Sequence, residues 1–167
     1  LHALHESGSA SEETGWQPQF ILLFDGDDLA AALPLYVKSH SYGEYVFDWA
    51  WADAYHRNGF EYYPKLLSAI PFTPVTGPRF MAVDAAARAA LIDVLRATQQ
   101  ASSVSSTHIL YPPEEEAQQL AEAGYMLRSG VQFHWLNAGY RDFDEFLATL
   151  ERKKRKNRCL TSRFDQE

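Results

Sequence analysis

The stretch Lys38-Ser-His-Ser-Tyr-Gly-Glu-Tyr-Val-Phe-Asp-Trp-Ala-Trp-Ala-Asp-Ala-Tyr55 decides the fold, because it combines aromatic rings and charged side chains in one run. Its spacing predicts a helix over residues 42–57. Ser41 and Glu44 match a capping box at the start of this helix, and Asn58-Gly59 is typical of a helix end. A helix that is apolar on nearly every side is expected to be buried in the domain.

Three acids of this stretch, Glu44, Asp48 and Asp53, have aromatic neighbours. A buried carboxylate without a partner costs several kcal/mol or changes its pKa, so we expect these side chains to be paired or to face a cleft. At helical spacing, Glu44 and Asp48 share one stripe and Asp53 belongs to another.

Length and composition indicate one ordinary domain. The 167 residues are 46% hydrophobic and 14% aromatic, which is enough for a sizeable core. We expect a domain over residues 1–152, while residues 153–167 form a basic tail or the truncated start of a second domain. Cys159 is the single cysteine, which excludes an internal disulfide. Without a bilayer-spanning run or a signal pattern, the expected location is the cytoplasm.

The charge is distributed unevenly along the chain. The net charge is −7, yet residues 151–167 carry seven Lys or Arg against three acids, which leaves −11 for residues 1–150. The body is therefore expected to bind phosphate backbones poorly. Only the run Arg152–Arg158 could contact nucleic acid, and such short basic runs are more often solvated tails.

Alternation and capping patterns predict the remaining elements. The predicted strands are 19–24, 29–37, 66–72, 107–111, 125–128 and 131–137. The first two form a hairpin around Asp25-Gly26-Asp27-Asp28, and Pro34 indicates an edge or a bulge. Helices are predicted after Asp84, after Pro112-Pro113 and after Asp142. This order favours an α/β (α+β) fold with a mixed β-sheet flanked by helices on both faces.

The segment Pro71–Arg79 predicts a stiff, shaped loop after the strand 66–72. It contains three prolines, two threonines and one glycine. Functional sites are often found on such loops.

Several segments of the chain together resemble one protein family: His40–Ala52, Tyr62–Lys65, Pro71–Arg79, Gln132–Trp135 and Lys154–Asn157. The resemblance is to the FemAB-like family of bacterial proteins, which is associated with peptidoglycan biosynthesis or recognition. It implies the fold of the GNAT-type acyl-CoA N-acyltransferases. It also implies that this chain is the first half of a tandem protein with two such domains. After Asn157 the sequence departs from the family pattern.

The same resemblance implies an acyl or aminoacyl transferase that acts on an amine acceptor, such as a peptidoglycan precursor or another small molecule. Acyl-CoA or aminoacyl-tRNA is the implied donor, so tRNA is the one nucleic acid expected as a partner. Acyl-CoA enzymes of this fold bind pyrophosphate through free amides of a glycine-rich loop. The corresponding loop, Thr73–Arg79, has one glycine and prolines that remove amide donors, which weakens the acyl-CoA alternative.

The candidate site residues fall into two groups. Asp48, His40 and Glu44 are candidates for taking a proton from the attacking amine. Candidates for substrate binding are Lys38, Tyr62, Tyr63, Lys65, Thr76, Gly77 and Arg79. Glu44 also has a structural alternative as the capping partner, and His40 one as a donor to a loop carbonyl. A metal site of His40, Glu44 and Asp48 is not expected, because His40 precedes the helix.

Two other functions remain open from the sequence. One is a non-catalytic module that binds a peptide or glycan, and the other is a packing half that supports a second GNAT-like domain or forms a homodimer. An enzyme requires a pocket shared by Asp48 and the loop Thr73–Arg79. A binding module requires an open aromatic groove, and a packing half requires an exposed apolar patch near the C-terminus.

Overall fold

A computed structural model describes residues 1–151, which belong to two compact units, Leu1–Leu127 and a second unit that begins at Arg128. The described helices are α1 (His2–Glu6), α2 (Trp49–Arg57), α3 (Ala85–Ala101), α4 (Glu114–Glu122) and α5 (Phe143–Ala148). The described strands are β1 (Trp16–Pro18), β2 (Ile21–Asp25), β3 (Asp28–Leu33), β4 (Tyr36–Lys38), β5 (Lys65–Ser68), β6 (Met81–Ala82) and β7 (Thr107–Ile109). The predicted tail 153–167 lies outside the described residues. Among those residues, no helix is both long enough and apolar enough to cross a membrane.

The larger sheet has four strands in the order β1-β4-β5-β7. β4 pairs antiparallel with β1 and β5, whereas β7 runs parallel to β5. A parallel pair needs a long crossover connection, and the chain between β5 and β7 contains α3. The predicted mixed α+β class is therefore confirmed.

The smaller sheet has the order β2-β3-β6 and contains the predicted hairpin. Gly26 in the hairpin turn has a φ of 60°, which explains glycine at this position. Pro34 follows the last residue of β3, and the chain then enters the other sheet as β4. The predicted strand 29–37 is thus two strands in two sheets, because proline cannot donate a ladder hydrogen bond.

Helix α3 supplies much of the core of the first unit. The Asp84 carboxylate accepts a hydrogen bond from the Ala87 amide at 2.7 Å, so the predicted cap is confirmed. One apolar cluster joins the buried face of α3 to both sheets and includes Leu33, Leu66, Leu91, Ile92 and Leu95. A second cluster, on the larger sheet, includes Trp16, Tyr36, Leu67 and Leu110.

The predicted helix over residues 42–57 is wrong in its first half. Helix α2 begins only at Trp49, and none of its residues is buried. The backbone turns at Gly43 (φ 81°) and Tyr45 (φ 58°), which no helix accommodates. The capping box is also wrong, because Ser41 binds distant side chains instead of helix amides.

The two strands predicted at 125–128, mostly in the first unit, and at 131–137, in the second unit, are wrong. Both segments are described, and neither is part of a ladder. Apolar and polar residues do alternate over residues 131–135, but a strand also needs a neighbouring strand. The start of α5 follows the prediction, since the Asp142 carboxylate accepts from the Glu145 amide at 2.9 Å. The Glu145 carboxylate accepts from the Arg141 amide at 2.8 Å.

Candidate functional site

The candidate site begins with two lysines on neighbouring strands. Lys38 at the end of β4 is paired in register with Lys65 at the start of β5. Residues opposite each other in an antiparallel pair project to the same face of the sheet. Both lysines have no solvent exposure. Two ammonium groups are thus placed inside the domain, next to the loop of residues 39–48.

Lys65 is the centre of this cluster. Its Nζ donates to Asp48 Oδ2 at 2.6 Å, to Ser41 Oγ at 2.7 Å and to Glu44 Oε2 at 2.9 Å. An ammonium group has three hydrogens, so these acceptors use all of them. The two carboxylates carry more negative charge than Lys65 alone can neutralise.

Asp48 is held by three donors at one oxygen. Besides Lys65, Tyr62 donates to Oδ2 at 2.8 Å and Ser41 donates to it at 3.0 Å. Ser41 Oγ also lies 2.8 Å from the Tyr63 hydroxyl. The predicted residues Asp48, Glu44, Tyr62, Tyr63 and Lys65 are therefore brought together, with Ser41 between them.

The two carboxyl groups have opposite pKa shifts. Burial acts to raise the pKa of Asp48, but hydrogen bonds from Lys65, Tyr62 and Ser41 outweigh it and lower the pKa. Burial raises the pKa of Glu44, and the attraction of Lys65 only partly offsets this effect. Asp48 is thus the more acidic of the two carboxyl groups, and Glu44 is the better proton acceptor.

One oxygen of each carboxylate has no hydrogen-bond partner. Glu44 Oε1 and Asp48 Oδ1 are both buried and unpaired among the described residues. Glu44 is 3% exposed and Asp48 1% exposed. Leaving such atoms unsatisfied costs free energy, so they are poised to accept hydrogen bonds from a further group.

The surroundings of Lys38 differ from those of Lys65. Its Nζ lies 3.7 Å from the centroid of the Trp16 ring and donates to the Tyr42 carbonyl at 3.3 Å. The pKa of Lys38 is lowered to about 8, chiefly by burial; Glu44 opposes this shift, and Lys65 adds to it. Lys38 can therefore exchange a proton near neutral pH.

His40 lies beside this cluster in a fixed ring orientation. Its Nδ1 accepts a hydrogen bond from the Tyr42 amide at 3.2 Å. The ring rests so closely on Gly15 that a side chain there would collide with it. Burial, with Lys38 next in effect, lowers the pKa of His40, so the imidazole is neutral at pH 7. The alternative of a hydrogen bond to a loop carbonyl also has support, because His40 bonds the backbone at Thr14.

The proline-rich loop is organised by Arg79. The buried guanidinium donates to the carbonyls of Val75, Gly77 and Leu110, each at 2.8 Å. The Arg79 amide donates to the Glu116 carboxylate at 2.9 Å. Arg79 thus shapes the loop from within. Burial lowers its pKa, and Glu116 opposes that shift.

Two other predicted loop residues lie closer to the surface. Thr76 is exposed, and Gly77 is half-buried. The Gly77 amide donates to the Tyr111 carbonyl at 3.1 Å, so it is not available to a phosphate.

The loop contacts the acid-bearing segment directly through one backbone hydrogen bond and indirectly through Tyr111, whose carbonyl accepts from Gly77. The Phe72 amide donates to the Gly43 carbonyl at 3.1 Å. The Tyr111 hydroxyl donates to the Tyr45 carbonyl at 2.9 Å. Arg79 and Asp48 share no hydrogen-bond partner. The loop therefore lies next to the cluster and is not part of its hydrogen-bond network.

Two cavities of the first unit lie away from the cluster. One, of about 270 Å³, is lined by α3 and α4 residues such as Ala89 and Gln119. The other, of about 160 Å³, is lined by apolar residues such as Leu22 and Met81. Neither is lined by a predicted site residue, so neither is the pocket shared by Asp48 and the loop Thr73–Arg79 that the enzyme hypothesis expects. Within residues 1–151, no three His, Cys, Asp or Glu side chains are placed to hold a metal ion.

Four aromatic side chains of the loop region are exposed and define an aromatic surface: Tyr42, Tyr45, Phe47 and Trp49. The rings of Tyr42 and Trp49 meet edge to face at 5.5 Å. Because Asp48 precedes Trp49, the surface adjoins the buried cluster.

Sequence reasoning missed the role of Ser41 and Tyr111. The pattern around Ser41 indicated a local cap, and its true partners are distant in sequence. Tyr111 carries no motif at all. Its φ of 54° is visible only in the folded chain.

The fold and the site define an α+β protein with a mixed sheet and a buried cluster of lysines and carboxylates. The sequence model of the FemAB-like family, described as peptidoglycan biosynthesis/recognition, matches residues 1–160. The chain belongs to this family, which implies a role related to peptidoglycan biosynthesis or recognition. Neither a curated protein nor a solved structure was found to match the chain.

Proposed function

We propose that this protein transfers an acyl or aminoacyl group to an amine acceptor related to peptidoglycan. The observation that carries the proposal is the buried cluster of Lys38, Lys65, Glu44 and Asp48. Removing four charged groups from water is costly, and apolar residues of similar size often give an equal or greater stability. A cluster with opposite pKa shifts and unsatisfied oxygens is therefore better explained by chemistry than by packing.

The proposed roles follow from the hydrogen bonds. The acceptor nitrogen attacks the carbonyl carbon of the donor, a C–N bond forms, and the ester or thioester bond breaks. The proton leaves the nitrogen for Glu44, whose Oε1 is unpaired, and then passes to the leaving oxygen or sulfur, so that Glu44 returns to its carboxylate form. Asp48 stays ionised during the transfer step and holds Lys65, while neutral His40 becomes a second proton acceptor when its Nδ1 is released from the Tyr42 amide. Lys38 and the exposed Thr76 are the proposed substrate contacts, and Arg79 fixes the loop that carries Thr76.

The GNAT-type fold is part of this proposal. It is supported by the parallel pair of β5 and β7, with the proline-rich loop following β5. The donor is acyl-CoA or aminoacyl-tRNA. The occupied Gly77 amide and the prolines leave few free amides for a pyrophosphate, which favours the aminoacyl donor.

A second candidate function is recognition without catalysis. The aromatic surface favours it, because exposed tyrosine and tryptophan rings bind sugars and peptides through their faces. The position of both cavities away from the acids also supports this function.

A third candidate function is structural: the chain packs against a second domain or a second copy of itself. One feature of the second unit favours it. In residues 131–136 of the second unit, four apolar side chains are widely exposed, namely Val131, Phe133, Trp135 and Leu136. Such a surface favours coverage by a partner domain.

The test combines binding and product formation. Thermal unfolding is measured with acyl-CoAs, aminoacyl donors and muropeptides, since a ligand of the folded state raises the melting temperature. Mass spectrometry then detects acylated muropeptide. Glu44→Gln should abolish product formation, while Asp53→Asn is the matched control, because Asp53 is exposed and paired with Arg57 on α2. Binding of muropeptide without product under any donor would replace the transferase by the recognition function.

A further inference from the structure

We propose that Ser41 and Tyr63 are positioning residues of a proton path that joins the buried Asp48 to the protein surface. Three oxygens lie in a row, because Tyr63 Oη is 2.8 Å from Ser41 Oγ and Ser41 Oγ is 3.0 Å from Asp48 Oδ2. Asp48 is 1% exposed and Ser41 4% exposed, whereas Tyr63 is partly exposed. The row therefore runs from the interior outward.

The hydrogen bonds of Ser41 fix the direction of this path. A hydroxyl group donates one hydrogen and accepts up to two. Lys65 donates to Ser41 Oγ, and Ser41 donates to Asp48. The remaining position on Ser41 Oγ accepts the hydrogen of Tyr63. All three contacts are thus satisfied at once, and the donors point from Tyr63 toward Asp48.

Transfer along the row conserves every atom. A proton from water binds Tyr63 Oη while the hydroxyl proton of Tyr63 passes to Ser41 Oγ, and the proton of Ser41 passes to Asp48 Oδ2. Each hydroxyl oxygen gains one proton and loses one, so the net change is one proton moved from water to Asp48. The reverse sequence releases it. Use of this path during transfer rests on the proposed function, but its existence does not.

Tyr62 provides a matched comparison. Its hydroxyl donates to the same oxygen of Asp48 at 2.8 Å, a bond as short as those of the path. Its other contact, to His108 Nε2, is 3.5 Å long, which is at the limit of a hydrogen bond. Loss of the Tyr62 hydroxyl therefore removes one donor to Asp48 and leaves the path intact.

The experiment measures exchange of the Lys65 ammonium hydrogens with water by NMR, in the full chain labelled with ¹⁵N-lysine. All three hydrogens bind buried acceptors, so they exchange in one of two ways. A Lys65 hydrogen passes to Asp48 Oδ2 and leaves through Ser41 and Tyr63, and a proton from water returns along the same row to Lys65, or the cluster opens locally to water. The path predicts that Tyr63→Phe and Ser41→Ala slow this exchange by about tenfold or more, to the rate of local opening. Tyr62→Phe should leave the rate at the wild-type value.

Two results would overturn the path. One is an exchange rate of the Lys65 hydrogens in Tyr63→Phe that equals the wild-type rate. The other is an equally slow rate in Tyr62→Phe, because the slowing would then result from the loss of any hydrogen bond to the Asp48 cluster. If Ser41→Ala does not fold, the exchange rate in Tyr63→Phe alone tests the path. This variant is expected to fold, because Tyr63 is only partly buried. Hydrogen exchange of the Leu66 amide, next to Lys65 on β5, is the control that shows whether the rate of local opening differs between the variants.

The proposed function fails separately from this inference. If ammonium exchange follows the expected pattern and no product forms with any donor, the path stands without the transferase. If product forms and Tyr63→Phe has wild-type exchange, the transferase stands without the path.

Discussion

Lys38 and Lys65 lie opposite each other in the register of β4 and β5, and both are fully buried, yet their ammonium groups have different surroundings. Lys65 forms ion pairs with Glu44 and Asp48. Lys38 lies over the Trp16 ring instead. One lysine therefore neutralises buried charge, and the other adds to the cost of burial.

Replacing Lys65 should be far more damaging than replacing Lys38. Lys65→Met leaves two buried carboxylates without a counter-charge, and such losses cost about 3–5 kcal/mol in the free energy of unfolding. Lys38→Met removes a desolvated cation and loses a cation–π contact worth at most about 2 kcal/mol. We therefore expect Lys38→Met to be neutral or stabilising at pH 7. Urea unfolding of both variants checks this, and an equal loss in both would refute the assigned ion pairs.

The pKa of Lys38 predicts a stability that rises with pH. Folding lowers this pKa from 10.5 to about 8, so the charged form destabilises the folded state most at pH values below about 8. Between pH 8 and pH 10 this penalty declines by about 2 kcal/mol, because the folded state has lost the proton and the unfolded state approaches its own pKa. The advantage of Lys38→Met over the wild type should shrink by the same amount. Chemical unfolding at both pH values tests the sign, and a pH-independent difference would contradict it.

The cap of α3 predicts a local loss of stability. Asp84→Ala removes the acceptor for the Ala87 amide and should cost about 1 kcal/mol. Asp93→Ala, at an exposed position within the same helix, is the control and should change stability little. Thermal unfolding of both variants is the measurement. Equal melting temperatures would show that the cap contributes nothing.

The features that the sequence predicts well are those that depend on near neighbours. The caps at Asp84 and Asp142 act within three residues, and the Asp-Gly turn acts within four. The same local rule assigns Ser41 to a cap, but its partner Lys65 is 24 residues away and outcompetes the helix amides. A short-range rule cannot detect a buried charge that attracts a hydroxyl from a distant strand.

In the candidate site, too, local features are predictable from the sequence and long-range contacts are not. Asp48, Glu44 and Lys65 are predictable from residue type, because buried charge needs a partner. Their arrangement around one ammonium group is not predictable, since it depends on where β5 lies against loop 39–48. The strand predicted at 131–137 illustrates the opposite error, in which the alternation is present and the neighbouring strand is not.

Gly43 should be the most sensitive glycine near the site. It has a φ of 81°, and a Cβ atom there would lie 2.6 Å from the Phe72 ring. Gly43→Ala therefore combines backbone strain of about 1 kcal/mol or more with displacement of Phe72. Gly26→Ala is the matched control, because Gly26 has a φ of 60° but open space around it. We expect the Gly43 variant to lose clearly more stability, measured by urea unfolding. Phe72 lies in the loop that contacts Gly43, so muropeptide binding should weaken in the Gly43 variant only. Equal losses of stability and of binding in both variants would mean that backbone strain, and not the displacement of Phe72, causes the effect.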